Sequence, residues 1–133
     1  MKIFLDDRRT EEYIKRHHTL SQIEGLVIVK TYDEFVSVVN EHLKEITFVS
    51  FDHDLACFDK YAKEWTGKDA CMYLVDMCIE NQINFPDWYV HTDNVNGGPN
   101  IIYYILNYLR NIENKDVDMK YYHKGFINGK VVK

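Results

Sequence analysis

Proline occurs only twice in the 133 residues, glycine six times and cysteine three times. That scarcity excludes collagen-like repeats, a flexible linker and a disulfide scaffold. Long apolar runs are missing as well. The longest, residues 25–29 and 46–51, fall far short of the roughly 20 that a membrane helix needs. The opening apolar stretch is cut by Asp6 and Asp7, so it does not read as a signal peptide. A cytoplasmic chain with free thiols is expected, Cys71 and Cys78 lying seven apart on one helix face as core residues. Positive charge is in deficit: 16 Lys and Arg against 21 Asp and Glu leave a net charge of −5. Duplex DNA is therefore not an expected partner, since such surfaces carry clustered Lys and Arg, and with no long apolar run a membrane is not expected either. A small anionic ligand in one local pocket remains compatible with this balance.

The rest of the composition, 46% hydrophobic, 14% aromatic and 28% charged, is that of a globular chain. At this length a single domain over residues 1–133 can bury roughly two thirds of its unfolded surface. Short apolar runs alternate with segments of helical period. Residues 2–5, 26–29, 46–51 and 87–91 read as strands, and residues 118–123 as a fifth. Residues 10–18 read as a short polar helix. Thr31 and Glu34 have the spacing of a capping box ahead of Phe35, Val36, Val39 and Leu43. Residues 67–81 carry Ala70, Cys71, Leu74, Val75 and Cys78 on one stripe, and Ile101, Ile102, Ile105, Leu106 and Leu109 mark another helix after Pro99. Asn128-Gly129 between β-formers predicts a terminal hairpin, with 119–133 as an extension of the domain.

Strands alternating with helices predict an α/β fold. It is a flavodoxin-like doubly wound parallel sheet of order 2-1-3-4-5, which binds ligands beyond the carboxyl ends of its strands. Strand one ends in Asp6-Asp7-Arg8-Arg9, strand three in Asp52-His53-Asp54, and strand four in His91-Thr92-Asp93-Asn94. That order makes the three strands neighbours, so their ends share one rim. The carboxylates of Asp6, Asp7, Asp52 and Asp54 repel each other there unless a cation or protons offset them. Hard oxygen ligands of this kind suit Mg²⁺, which also takes phosphate oxygens.

The segments Ile3-Phe4-Leu5-Asp6-Asp7-Arg8-Arg9-Thr10, Lys30-Thr31-Tyr32-Asp33-Glu34, Val49-Ser50-Phe51-Asp52-His53-Asp54-Leu55, Thr66-Gly67-Lys68-Asp69 and Val90-His91-Thr92-Asp93-Asn94, with Gly97 and Asn100, resemble the cyclic-phosphate processing receiver-like family. This family is a branch of the receiver fold. The resemblance implies a receiver-like architecture, with Asp6 and Asp7 in the place of the metal-binding acidic pair. It puts Asp52 where ordinary receivers are phosphorylated, and Thr92 where they carry a hydroxyl that contacts the phosphoryl group. It also implies action on cyclic phosphate ends, in RNA repair or nucleotide-based conflict systems. Two features depart from an ordinary receiver: Lys120 and Lys124 precede no proline, and His53, Asp54 and His91 are added. Both speak against a phosphorelay. Within the narrower family, Gly98 and Lys30 stand where an unspecified basic residue and an Arg are expected.

The expected function is a Mg²⁺-assisted phosphoesterase, a phosphoric-ester hydrolase acting on a cyclic or terminal phosphate of RNA or a nucleotide. Asp6, Asp7 and Asp52 are the metal ligands. Asp52 is also a candidate nucleophile, because a strand-end carboxylate is exposed yet held rigidly. His53 and Asp54 are the acid/base candidates. Arg9, His91, Thr92 and Asn94 are the candidate phosphate binders, Arg9 through its planar fork. Asp52 and His53 converge only if the chain turns between them, because adjacent strand residues face opposite ways. A second enzyme reading takes Asp52-His53-Asp54 as a haloacid-dehalogenase-type Asp-x-Asp motif, although an entire βαβα precedes it. The alternative from a different class is a catalytically silent receiver-like binding or regulatory module. The aromatic tail at 121–126 offers base stacking or, more simply, packing.

Overall fold

The computed structural model describes residues 1–116 and the backbone of two short strands at Phe126–Ile127 and Lys130–Val131. In chain order the elements are β1 (Lys2–Leu5), α1 (Glu11–Arg16), β2 (Leu26–Val29), α2 (Tyr32–His42), β3 (Phe48–Phe51), β4 (Cys57–Phe58), β5 (Glu64–Trp65), α3 (Gly67–Glu80), β6 (Asp87–Val90), α4 (Gly97–Asn111), β7 (Phe126–Ile127) and β8 (Lys130–Val131). β2, β1, β3 and β6 form one parallel sheet in that order. This is the expected 2-1-3-4 arrangement. The fifth strand at 118–123, the aromatic residues 121–125 and the two lysines 120 and 124 lie outside the described residues. β7 and β8 pair antiparallel, as expected of a terminal hairpin.

The strands are rich in β-branched and aromatic residues, and their side chains alternate between two faces. Ile3, Leu5, Val49, Phe51, Trp88 and Val90 pack into a core with Phe35, Leu74, Ile101 and Ile105 of α2, α3 and α4. Phe4, Phe48 and Tyr89 point the other way, into a smaller core with Ile14 of α1 and Leu20. Cys71 and Cys78 are free thiols in the larger core, and burial pushes the Cys78 thiol up to about 12. They act as core residues, as expected. Among the described residues no helix is long and apolar enough to cross a membrane.

Helix boundaries follow their caps. Thr66 and Asp69 form a complete capping box that opens α3. At α2 the Thr31 hydroxyl accepts from the Glu34 N–H, but the Glu34 carboxylate accepts from the Lys30 N–H instead of closing on Thr31. α1 stops at Arg16 rather than reaching residue 18. The His17 side chain captures the N–H groups of Thr19 and Leu20 at 3.2 and 3.1 Å and turns the chain. The β4–β5 hairpin has no counterpart in the sequence expectation. Its paired strands are two residues long, too short for a period to show.

Candidate active site

Register decides which side chains meet at the carboxyl edge. Phe4 lies opposite Ser50 and Ser50 opposite Tyr89, while Leu5 lies opposite Phe51 and Phe51 opposite Val90. The ladder runs one residue further: the Asp52 N–H donates to the Leu5 carbonyl and the His91 N–H to the Phe51 carbonyl, both at 3.0 Å. Asp6, Asp52 and His91 are therefore in register. By the two-residue period they share the face of Phe4, Ser50 and Tyr89. Folding buries all three, at 0%, 3% and 5% exposure respectively.

Asp6 is the centre of this inner group. Its Oδ1 accepts the N–H groups of Arg8 and Arg9 at 2.8 and 2.9 Å. Its Oδ2 accepts from Arg9 Nη1 and faces His91 Nε2, each at 3.0 Å. His91 stacks on Phe4 with ring centroids 4.3 Å apart, and its Nδ1 lies 2.7 Å from the Ser50 hydroxyl. The ionised Asp6 only accepts, so His91 carries its proton on Nε2 and the Ser50 hydroxyl donates to Nδ1. Arg9 is supported from α1 by the Tyr13 ring, 5.0 Å from its guanidinium carbon. The same guanidinium reaches Asp52 at 3.5 Å and Asp93 at 2.6 Å.

The outer group forms because the chain does turn after β3. The His53 N–H donates to Asp52 Oδ1 at 2.8 Å, so Asp52 points inward while the His53 ring lies outside. His53 Nδ1 meets Asp54 Oδ1 at 2.9 Å. The Asn94 amide donates to both Asp54 oxygens at 3.2 and 3.1 Å, and its own oxygen accepts the N–H groups of Asn96 and Gly97. A Cβ on Gly97 would stand 2.3 Å from the His53 ring, so only glycine lets α4 press against it. Among the described residues His53 Nε2 has no hydrogen-bond partner, since the ring's one hydrogen bond is made by Nδ1.

Burial raises the Asp6 carboxyl, but His91, the two backbone N–H groups and the Arg9 guanidinium outweigh it and hold Asp6 well below the usual carboxylate range. Burial, and then the charge of Asp6, pushes Asp52 upward against the pull of Thr92, His91 and the His53 N–H. The hydrogen bond from His53, helped by Asn94, keeps Asp54 low and ionised. Burial holds His91 below its ordinary value despite Asp6, so it is neutral at pH 7. A depressed carboxyl stabilises the fold above its ordinary value of 3.8 and loses that contribution as pH falls toward the folded value. Asp6→Asn is thus expected to cost about 3 kcal/mol at pH 7. The gap from wild type in urea unfolding should shrink below pH 3.8.

The cluster bears on the expected metal site. Asp6, Asp52 and His91 each offer a ligand atom within 4.8 Å of the others, and Asp7 is not among them. Asp6 has spent its lone pairs on four protein donors, and Arg9 Nη1 stands where Asp6 and Asp52 would share an ion. In this arrangement the Arg9 guanidinium occupies the space between Asp6 and Asp52, whereas the third expected ligand, Asp7, keeps a buried Oδ1 with no hydrogen-bond partner among the described residues. Of the expected phosphate binders, Arg9 and Thr92 border Asp52, and Asn94 holds Asp54. His91 has both ring nitrogens engaged inside the protein and serves to position Asp6. Sequence reading assigned no role to Ser50, Tyr13 or Asp93. A buried serine within the run Val49-Ser50-Phe51 was the signal for Ser50; Tyr13 and Asp93 gave none.

Comparison with known proteins adds one finding. The sequence model of the cyclic-phosphate processing receiver domain matches residues 1–107. No curated protein and no solved structure matches.

Proposed function

Because the chain belongs to the cyclic-phosphate processing receiver domain family, we propose that its rim is the active site of a phosphoesterase that opens a cyclic phosphate on a nucleotide or RNA end. The observation that carries this reading is a guanidinium beside a carboxyl of raised pKa at one sheet edge, with a carboxylate-held histidine on the next residue of the chain. A carboxyl raised by burial and a histidine held by a carboxylate suit an acid–base division of labour. His53 Nε2 takes a proton from water as its oxygen attacks phosphorus. The bond from phosphorus to one ribose oxygen breaks, and the Asp52 carboxyl delivers its proton to that leaving oxygen. Asp54 holds His53 in the productive tautomer, as a carboxylate does for other catalytic histidines. Arg9 neutralises the oxygens on phosphorus, with Thr92 beside it. No step requires a divalent ion.

Asp93 is the built-in competitor for the phosphate. Its side chain is 92% exposed, and its carboxylate sits on the outer arm of the Arg9 fork. Asp93→Ala is expected to tighten inorganic phosphate binding about 2- to 5-fold, the scale of one exposed ion pair. Isothermal titration checks it.

The reading is tested by offering the protein 2′,3′-cyclic nucleotides, cyclic-ended RNA, linear monophosphates and acetyl phosphate. Consumption of the cyclic substrates alone is expected. Stable labelling of Asp52 by acetyl phosphate would instead assign a receiver switch. Phosphate binding with no turnover of any substrate would assign the silent module.

A further inference from the structure

A large open cavity lies beside the rim. It has a volume of about 690 Å³, within the usual range for small-molecule sites, and lies between the start of α2 and the β4–β5 hairpin. Tyr32 and Trp65 stack in its wall with centroids 4.6 Å apart, and Lys63 covers Trp65 at 4.0 Å. Phe58 lines the cavity yet is 63% exposed, and Tyr61 near the hairpin tip is 78% exposed. Phe58, a large aromatic held in water on a two-residue strand, gains little for the fold and presents a face to a planar ligand.

Two further observations say which ligand. The lining carboxylates Asp7, Asp33, Glu34 and Asp59 outnumber the one lining lysine, Lys30, and the Lys63 that lies on Trp65, so the cavity disfavours phosphate and offers acceptors to amino groups. The Oδ1 of Asp7 is buried and has no hydrogen-bond partner among the described residues. A second cavity of about 250 Å³ carries Asp54 in its wall and shares Asp7, Ala56 and Phe58 with the first. The two cavities therefore adjoin at Asp7, Ala56 and Phe58, and the second has Arg8 and Asp54, the partner of His53, in its wall.

We infer that this cleft is a nucleobase subsite: a base stacks on Phe58, its exocyclic amino group donating to Asp7, while the phosphate lies at Arg9. The inference rests on the phosphoesterase reading for the identity of the ligand, and it fixes the ligand's orientation by charge. Phosphate is drawn to the guanidinium and turned away by the acidic cleft. Cytosine, with an amino group, should be preferred to uracil, which has a carbonyl oxygen in its place.

Steady-state kinetics with cytidine and uridine 2′,3′-cyclic phosphates and with base-free glycerol cyclic phosphate tests it. In Phe58→Ala the ratio of kcat/KM for the cytidine substrate over the glycerol one should fall about 10-fold, the low end for a lost base stack. Phe58→Trp should restore it. Wild type should favour cytidine over uridine, and Asp7→Asn should erase that preference. An unchanged ratio in Phe58→Ala with active enzyme would overturn the subsite and leave the phosphoesterase reading standing. If wild type turns over none of these substrates, equilibrium dialysis with cytidine decides separately. Binding weakened by Phe58→Ala supports the subsite, and no binding in wild type overturns it.

Discussion

Asp52→Asn should lower kcat about 10³-fold, the scale of losing one general acid, while the protein becomes more stable. Asparagine is nearly isosteric and keeps an oxygen for the His53 N–H, but it cannot carry a proton to the leaving oxygen. The stability change has the opposite sign because burial and the neighbouring Asp6 charge disfavour the ionised Asp52 carboxylate. A carboxyl raised in the folded state penalises the fold as pH climbs past its unfolded pKa, and asparagine removes that penalty. Activity lost together with a higher Tm at pH 7 is the pattern of a functional site held at a cost to stability. A purely structural Asp52 would lose both. Parallel measurement of kcat and thermal unfolding separates the two.

Gly67→Ala is expected to have the largest effect on the fold. Its N–H donates to the His53 carbonyl at 2.7 Å, which docks the start of α3 on the turn after β3. A Cβ there would lie 1.5 Å from the Asp52 carbonyl oxygen, a fixed backbone atom with no rotamer to escape into. Either α3 backs away or the turn that points Asp52 inward unwinds. The cost should be roughly 3 kcal/mol or more, with Tm lower by about 10 °C or more. Gly25→Ala is the contrast. Nothing lies within 4 Å of its Cβ, and only its φ of +77° is unfavourable. It should cost about 1 kcal/mol. Urea unfolding of the two variants side by side checks the difference.

The expectation at the strand ends succeeded because it needed only local signals. A buried parallel strand announces itself by apolar composition, and the residue after its last apolar position must fall at the carboxyl edge. That placed Asp6, Asp52 and His91 on one rim without any knowledge of register. Register was what the sequence could not supply. It sets Asp6, Asp52 and His91 side by side, and Ser50 within reach of the His91 ring. His91 was therefore expected as a phosphate ligand, whereas it is enclosed between Phe4, Ser50 and Asp6. Asp93 reaches Arg9 across 84 positions of sequence, a pairing no local pattern encodes. The β4–β5 hairpin was missed for a different reason. Its pairing is held by two residues on each side, and its positive-φ positions are alanines, Ala56 and Ala62, rather than the glycine or asparagine that mark a turn.

The acidic rim also takes on a different meaning once Arg9 is placed. Four aspartates at neighbouring strand ends suggest a vacancy for a cation. Arg9, three residues after Asp6, puts a cation of the chain's own among them, held by Asp6 and Asp93, 3.5 Å from Asp52 and backed by Tyr13. An internal guanidinium cannot be removed by a chelator.

The most direct test is phosphorus NMR of cytidine 2′,3′-cyclic phosphate incubated with wild type and with Asp52→Asn, each in Mg²⁺ and in EDTA. The cyclic phosphate resonance should give way to a single monoester resonance with wild type, equally in both media, and persist with Asp52→Asn. A cyclic resonance that wild type leaves untouched would contradict the hydrolytic role of the rim. Consumption in Mg²⁺ that stops in EDTA would contradict Arg9 as its working cation.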